Sequence, residues 1–186
     1  KPFSRKKNMQ KAVFFDRDGT LHVDKVETTL EKGLVLFPDS KKVVTELKKR
    51  GYLIVIITNQ SGIAKGHITL DQMHKFNKAL RKALGGVHAI YYCPHKHAGG
   101  CRCSKPNTGM IERAVKELNI DLSKSFLVGD KIGDIKAAQN AGIPAKNRFL
   151  VTTGIYENND YRTEPDLEEL SPVVIKKLSK VLHFVK

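Results

Sequence analysis

The spacing of four aspartates is the strongest indication of a functional site in this sequence. Asp16 and Asp18 directly follow an apolar run, and Asp130 and Asp134 follow a second one. Carboxylates brought together repel one another unless a hard cation neutralises them, and an oxygen-ligand ion such as Mg²⁺ suits such a set. An isolated Asp-x-Asp is also common in turns and helix caps. A DxDGT segment after one strand with a GDxxxD segment after another is far more specific, and it predicts a magnesium site.

A second candidate metal site lies in one short segment that contains all three cysteines of the chain. The four candidate ligands are Cys93, His95, Cys101 and Cys103. An odd number of cysteines grouped with histidine fits disulfides poorly and zinc well. Three thiolates and one imidazole make a closed tetrahedral site, which is the structural kind. His97 is the rival to His95, and three reduced cysteines in a loop are the alternative to zinc. A zinc ion here would also fix Lys105, two residues after the last cysteine.

These residues need a scaffold that brings distant segments together. Short apolar runs alternate with amphipathic segments, which predicts an α/β fold with a doubly wound, mostly parallel sheet. The predicted strands cover 13–15, 53–57, 88–92, 126–128 and 149–152. The predicted helices cover 40–50, 69–84, 108–119, 132–141 and 172–184. Ligands of such sheets bind beyond the carboxyl ends of the strands, which is where both candidate metal sites fall.

Three residues are expected to start helices. Ser40 is the expected cap of the first helix, and Pro172 falls in the first turn of the last one. Thr69 begins the second helix, and Gln72 stands three positions later, which is a capping-box spacing.

The positive charge of the chain is concentrated at its ends. The 186 residues carry a formal net charge of +14, which by itself favours a nucleic-acid partner. Residues 1–11 hold five of the excess positive charges and residues 171–186 hold four, so nine of the fourteen are terminal. Such ends are typical of solvated tails. We therefore predict a basic extension over 1–11 and a single domain over 12–186 that includes a zinc loop at 93–103.

No signal for secretion or membrane insertion is visible in the sequence. The chain has no apolar run of the roughly 20 residues that a membrane span needs. A thiolate metal site also suits a reducing compartment, so the expected location is the cytoplasm.

Four segments, in order along the chain, resemble the motifs of the haloacid dehalogenase superfamily of phosphatases. They are FFDRDGT, IITNQSG, SKP and VGDKIGD, and the similarity covers residues 12–152. The resemblance implies a Rossmann-like fold and Mg²⁺-dependent hydrolysis of phosphomonoesters. A carboxylate nucleophile divides one difficult displacement into two easier ones, so the chemistry needs residues of these types.

The resemblance also implies a role for each residue at the matching positions. Asp16 is the nucleophile that becomes an aspartyl phosphate, and Asp18 protonates the leaving oxygen and later activates water. Thr58 and Asn59 hold the phosphoryl oxygens, and Lys105 stabilises the charge between nucleophile and phosphate. The expected magnesium ligands are Asp16, Asp130 and the main-chain carbonyl of Asp18, with Asp134 in support. Lys65 and Lys131 are candidates to add positive charge for the substrate.

The pattern CPH-x5-CxC followed by KP narrows the resemblance to a small branch with structural zinc and no large cap domain. This branch includes phosphatases of heptose bisphosphate and of histidinol phosphate. The segment NQSGIAKG is similar to the heptose phosphatases, so we favour a sugar bisphosphate as the substrate, with histidinol phosphate as the alternative. We also expect the enzyme to be a monomer. A zinc-stabilised nucleic-acid-binding module would leave the four aspartates unexplained.

Two positions depart from the pattern of the heptose phosphatases. Ser104 stands where the family usually has arginine, and His22 stands where asparagine is common. A serine does not bind an anion in two places as a guanidinium does. Arg102 is the candidate to replace that arginine. These departures affect the choice of substrate rather than the chemistry of phosphate release.

Overall fold

A six-stranded, all-parallel sheet forms the centre of the molecule. The computed structural model describes residues 8–25, 28–96 and 100–185. The strands are β1 (Ala12–Phe15), β2 (Leu53–Asn59), β3 (Ala89–Cys93), β4 (Phe126–Gly129), β5 (Arg148–Val151) and β6 (Val173–Ile175). Their spatial order is β3-β2-β1-β4-β5-β6. The predicted doubly wound parallel sheet is confirmed.

Most residues of the strands are apolar because helices cover both faces of the sheet. All four residues of β1 are fully buried. Val13 and Phe15 pack into the core on one face, and Ala12 and Phe14 pack into the core on the other. β1 therefore lies at the centre of the fold with both faces shielded from water.

Four helices of nine or more residues connect the strands. They are α1 (Ser40–Lys49), α2 (Leu70–Ala83), α3 (Gly109–Leu118) and α4 (Ile132–Asn140). The capping box at the start of α2 is confirmed, because Thr69 Oγ1 accepts from Gln72 N and Thr69 N donates to Gln72 Oε1. The prediction that Ser40 caps α1 is wrong. Ser40 is the first helical residue, and its hydroxyl donates to the main-chain oxygen of Leu21 at 2.8 Å.

The predicted helix over 172–184 is also wrong. Residues Val173–Ile175 form β6, which pairs with β5, and a 3-10 helix follows over Leu178–His183. Three β-branched residues in a row favour a strand over a helix once an edge is available for pairing. Leu178 and Val181 are three positions apart, so a 3-10 helix places both in the core. A short helix over Leu167–Leu170 precedes β6.

Long connections run over 16–39, between β1 and α1, and over 94–108, between β3 and α3. No helix in the described ranges is long and apolar enough to cross a membrane. The parallel arrangement places the residues that follow β1, β2, β3, β4 and β5 at one edge of the sheet. The candidate site residues lie at this edge.

We predict that Ser125→Ala destabilises the fold by about 1–3 kcal/mol, because it leaves a buried main-chain donor of β1 without a partner. Ser125 is fully buried, and its Oγ accepts from Ala12 N at 3.0 Å and donates to Asp121 O at 2.6 Å. Urea unfolding measures the loss. The control is Ser123→Ala, because the hydroxyl of Ser123 is exposed and bonds only to the side chain of Asp121. An equal loss in both variants would contradict the prediction.

Candidate active site

Three buried carboxylates converge where β1 and β4 end. Asp16 directly follows β1, Asp130 directly follows β4, and Asp134 lies in the first turn of α4. One oxygen of each lies within 4.8 Å of the others, and all three side chains are buried. Burial, followed by the charges of Asp16 and Asp134, raises the pKa of Asp130 to about 8. Three acids this close in the interior require positive charge.

Lys105 provides part of that charge. Its Nζ donates to Asp16 Oδ1 at 2.5 Å and to Ile57 O at 2.9 Å, and it lies 2.6 Å from Asp134 Oδ1. Burial disfavours the ammonium form, but the carboxylates of Asp134 and Asp16 outweigh that effect and raise the pKa of Lys105. One ammonium does not balance three carboxylates. The cluster therefore retains negative charge unless a cation or protons enter.

The donor set fits a hard cation. Asp130 Oδ2 is buried and has no hydrogen-bond partner among the described residues, and the other Asp130 oxygen accepts only a 3.3 Å bond from Thr20 Oγ1. A buried carboxylate oxygen without a partner is costly and points to a missing ligand. The atoms that Asp16, Asp130 and Asp134 offer are all oxygens, which suits Mg²⁺.

Three glycines leave the space that the carboxylates of Asp130 and Asp134 occupy. A Cβ atom added to Gly19 or Gly154 would overlap the carboxylate of Asp130, and one added to Gly129 would overlap Asp134. Gly19 also has a φ of +84°, a conformation that glycine adopts at little cost. The Thr153 hydroxyl donates to the main-chain oxygen of Gly19 at 3.0 Å. The sequence reasoning missed Thr153 and Gly154, although they follow β5 at the same sheet edge.

Asp18 lies outside the cluster of three carboxylates and accepts hydrogen bonds from several donors. Arg17 donates from Nε to Asp18 Oδ2 at 2.9 Å and from Nη2 to Oδ1 at 2.8 Å. Gln60 Nε2 and Thr58 Oγ1 also donate to Oδ2, at 2.9 and 3.2 Å. Burial raises the pKa of the Asp18 carboxyl, but the Arg17 guanidinium and the hydrogen bonds outweigh it and hold the pKa far below its usual range. Asp18 is therefore a carboxylate in this structure.

Arg17 and His22 support Asp18 from the interior, and sequence reasoning gave neither residue this role. Both side chains are buried. Arg17 Nη1 donates to Asn77 Oδ1 at 2.9 Å, and its guanidinium lies 4.8 Å from the centre of the Phe76 ring. His22 Nε2 lies 3.2 Å from Asp18 Oδ1. The signal available in the sequence was the position of Arg17 inside the DxDGT segment.

The side-chain amide of Asn59 is hydrogen-bonded to protein, although the residue also lines a cavity. Its Nδ2 donates to Lys105 O at 3.1 Å, and its Oδ1 accepts from Lys105 N at 3.0 Å. Both ends of the side-chain amide are therefore bound to the main chain of Lys105. Thr58 also has a protein contact on each side, because its hydroxyl donates to Asp18 and accepts from Gln60 Nε2 at 2.8 Å.

A cavity of about 430 Å³ opens beside these groups. The predicted site residues that line it are Asp16, Asp18, Thr58, Asn59, Lys65, Lys105, Lys131 and Asp134. Lys131 lies 3.8 Å from Asp24, a further carboxylate of the cavity wall. Lys65 is exposed on the wall. The cavity thus joins the carboxylate cluster to two ammonium groups that remain accessible to a ligand.

Arg102 does not reach this cavity. Its side chain is 91 % exposed, and its Nη2 lies 3.5 Å from Glu112 Oε2, in the wall of a separate depression. The expectation that Arg102 replaces the arginine of the family pattern therefore lacks support from the geometry. Ser104, two residues later, is buried.

The four predicted zinc ligands form a compact cluster. The three sulfur atoms lie 3.1 to 3.7 Å from one another, and His95 Nδ1 lies 3.6 Å from Cys93 Sγ and 3.2 Å from Cys103 Sγ. Zinc–sulfur bonds of about 2.3 Å in a tetrahedron place the sulfurs roughly 3.8 Å apart, so the cluster fits one zinc ion. Burial raises the pKa of the Cys93 thiol to about 12, which a bound cation would reverse. The rival ligand His97 lies outside the described residues.

Comparison with known proteins places the chain in a family. Residues 102–179 match the model of the HAD-hydrolase-like family. The D-glycero-beta-D-manno-heptose-1,7-bisphosphate 7-phosphatase of Pasteurella multocida is 40% identical over 184 residues, which cover 91% of this chain and 99% of that protein. The enzyme of the same name from Haemophilus ducreyi is 40% identical over 78% of this chain and 85% of its own length.

A solved structure agrees with these relatives. The D,D-heptose 1,7-bisphosphate phosphatase from B. bronchiseptica, complexed with magnesium and phosphate, superposes with a TM-score of 0.81. It is 29% identical and covers 94% of this chain and 97% of its own. The chain therefore belongs to the haloacid dehalogenase superfamily of phosphatases, in the branch that contains the heptose bisphosphate phosphatases.

Proposed function

We propose that this phosphatase hydrolyses a sugar bisphosphate through an aspartyl phosphate on Asp16. The observation that carries the proposal is the position of Asp16, which lines the cavity while Lys105 Nζ binds one of its two carboxylate oxygens. The other oxygen is the proposed nucleophile. Asp18 lines the same cavity, which puts an acid–base group on the wall where the ester oxygen would lie.

The first step forms a bond between Asp16 and phosphorus and breaks the bond from phosphorus to the ester oxygen. Asp18 donates a proton to that leaving oxygen. In the second step, water attacks the aspartyl phosphate, Asp18 accepts the proton of the water, and inorganic phosphate is released. The contacts of Asp18 with Arg17 stabilise the ionised form that the second step needs. To donate a proton in the first step, Asp18 must give up part of those contacts.

The proposed magnesium ligands are Asp16, Asp130 and the main-chain carbonyl of Asp18, with Asp134 in support. When bound, Mg²⁺ supplies the positive charge that offsets the repulsion between the aspartates and the phosphate group. Lys105 pairs with Asp16 and lies where charge builds up on the phosphoryl oxygens. Thr58 and Asn59 line the wall on the β2 side, and Lys131 faces them from the β4 side.

The proposed zinc ion has a structural role. The proposed ligands Cys93, His95, Cys101 and Cys103 hold the segment that leads into Lys105. The cysteines and the histidine thereby fix the main chain that carries the catalytic lysine. A thiolate site of this kind suits the cytoplasm, which is the location that we propose. We also propose that the enzyme is a monomer, with residues 1–11 as an extension of the domain over 12–186.

The proposed substrate is a small sugar bisphosphate such as D-glycero-D-manno-heptose 1,7-bisphosphate, from which the C7 phosphate is removed. The names and coverage of the two 40% identical relatives support this choice. The two accessible ammonium groups, Lys65 and Lys131, offer charge for a second anionic group of the substrate.

We predict that Asp16→Asn lowers Mg²⁺-dependent release of phosphate from p-nitrophenyl phosphate by at least ~10³-fold, because an amide does not serve as the nucleophile. The control is Asp71→Asn, an exposed aspartate on α2 paired with Lys75, which should leave turnover unchanged. Unchanged turnover in Asp16→Asn would overturn the assignment of the nucleophile.

We predict that a panel of sugar, amino-alcohol and nucleotide phosphates shows highest kcat/KM for heptose bisphosphate. The reason is that Lys65 and Lys131 attract a second phosphate group, which a monophosphate lacks. Removing the charge at Lys65 with Lys65→Met should reduce this preference and leave turnover of p-nitrophenyl phosphate within about threefold. A strong single preference for histidinol phosphate would contradict the sugar bisphosphate.

We predict that the purified protein contains close to one zinc ion per chain and that Cys103→Ser weakens zinc binding by roughly 10²-fold, because one of four ligands is lost. Turnover should fall with it, since Cys103 lies two residues before Lys105. Zinc content is measured by elemental analysis and turnover with saturating Mg²⁺. Lys96→Ala, an exposed position of the same loop, is the control. Full turnover in a zinc-free Cys103→Ser protein would refute the structural role.

A further inference from the structure

Asn59 stands at the point where both ends of the Cys/His loop meet the sheet. It is the last residue of β2, and its backbone is in register with Cys93 at the end of β3. The next residue, Gln60, donates from its main-chain nitrogen to Cys93 O at 2.7 Å. The side chain of Asn59 binds the main chain of Lys105 at the other end of the loop. Gln60 therefore connects β2 to the start of the loop, and Asn59 connects β2 to the end of the loop.

The two hydrogen bonds to Lys105 determine which way the amide of Asn59 points. Its oxygen faces the N–H of Lys105 at 3.0 Å, and its nitrogen faces the carbonyl of Lys105 at 3.1 Å. Rotating the amide by 180° would bring two donors together and two acceptors together, so the orientation is fixed. An amide used in this way has its acceptor engaged and only one N–H left for any other partner.

The position of the Lys105 main chain matters because the ammonium must reach three oxygens at once. Nζ contacts Asp16, Asp134 and the main-chain oxygen of Ile57 at 2.5, 2.6 and 2.9 Å. A displacement of about 1 Å in a catalytic group can cost ~10²-fold in rate. The backbone of Lys105 accordingly needs a rigid attachment to the sheet, and Asn59 is attached to the sheet through β2.

We propose that Asn59 is a positioning residue that clamps Lys105 to the end of β2, rather than a ligand of the phosphoryl group. The clamp fixes the ammonium between the two carboxylates and transmits the order of the Cys/His cluster to the cavity. This inference rests on the proposed phosphatase function, and it changes the role that the family resemblance implies for Asn59.

The test compares Asn59→Ala, which removes both hydrogen bonds, with Asn59→Asp, which keeps the acceptor but sets a carboxylate oxygen against the Lys105 carbonyl. We expect kcat for p-nitrophenyl phosphate to fall by about 10–100-fold in Asn59→Ala and further in Asn59→Asp. In Asn59→Ala, KM and the inhibition constant of inorganic phosphate should stay within about threefold. Asn159→Ala is the control, because Asn159 is exposed, also donates to a main-chain carbonyl, and does not line the cavity.

Hydrogen exchange gives a readout that does not depend on activity. The amide of Lys105 is protected by Asn59 Oδ1, so its exchange should accelerate in Asn59→Ala while the melting temperature and zinc content stay close to those of the wild type. Two results would overturn the proposal. One is a rise of tenfold or more in KM and in the phosphate inhibition constant at unchanged kcat, as expected for a phosphate ligand. The other is unchanged exchange at Lys105.

The same experiments separate this proposal from the proposed function. If the wild-type protein releases no phosphate from any ester with Mg²⁺, the proposed function fails while the exchange measurement still reports on the clamp. If the wild type is active and the exchange at Lys105 does not change in Asn59→Ala, only the clamp fails.

Discussion

The contact of the Lys105 ammonium with Asp16 and Asp134 is the interaction on which the rest of the site depends. Three carboxylates are buried within a few ångströms of one another, and burying a charge without a partner costs several kcal/mol. Lys105 balances part of that charge, and it lies just after the Cys/His loop. The surrounding features have one shared effect: Asn59, the Cys/His cluster and the main chain of Ile57 all restrict where that ammonium can lie.

The order of the strands explains how so short a chain brings these groups together. β1 is central, and the sheet continues to β2 on one side and to β4 on the other. Loops that leave neighbouring strands in opposite directions open a crevice at that point. Asp16 therefore stands between Thr58 from β2 and Asp130 from β4. The glycines that follow β1 and β5 then allow the Asp130 carboxylate to lie against bare main chain.

The parts of this arrangement that sequence predicted are those decided by local pattern. The apolar run before Asp16 and the capping box of Thr69 each depend on a few adjacent residues. The predictions that were wrong concern residues whose structure depends on partners far away in the sequence. Val173–Ile175 becomes a strand because the edge of β5 is free to pair, and Ser40 bonds to Leu21 instead of capping α1. The role of Arg17 depends on Asn77 and Phe76 from α2, and no spacing within the DxDGT segment reveals that contact.

The charges that remain accessible determine how the site can select a substrate. None of the described residues that line the cavity is an arginine, since Arg17 is buried against Asp18 and Arg102 lies against Glu112. Lys65 and Lys131 attract anions as point charges on flexible stems, whereas a guanidinium fork also fixes the orientation of the anion. Selection for one phosphate ester must therefore come from the shape of the wall and from carboxylates such as Asp24, which accept hydrogen bonds from hydroxyl groups. The net charge of the whole chain contributes attraction at a distance, and the arrangement of a few buried acids determines the reaction.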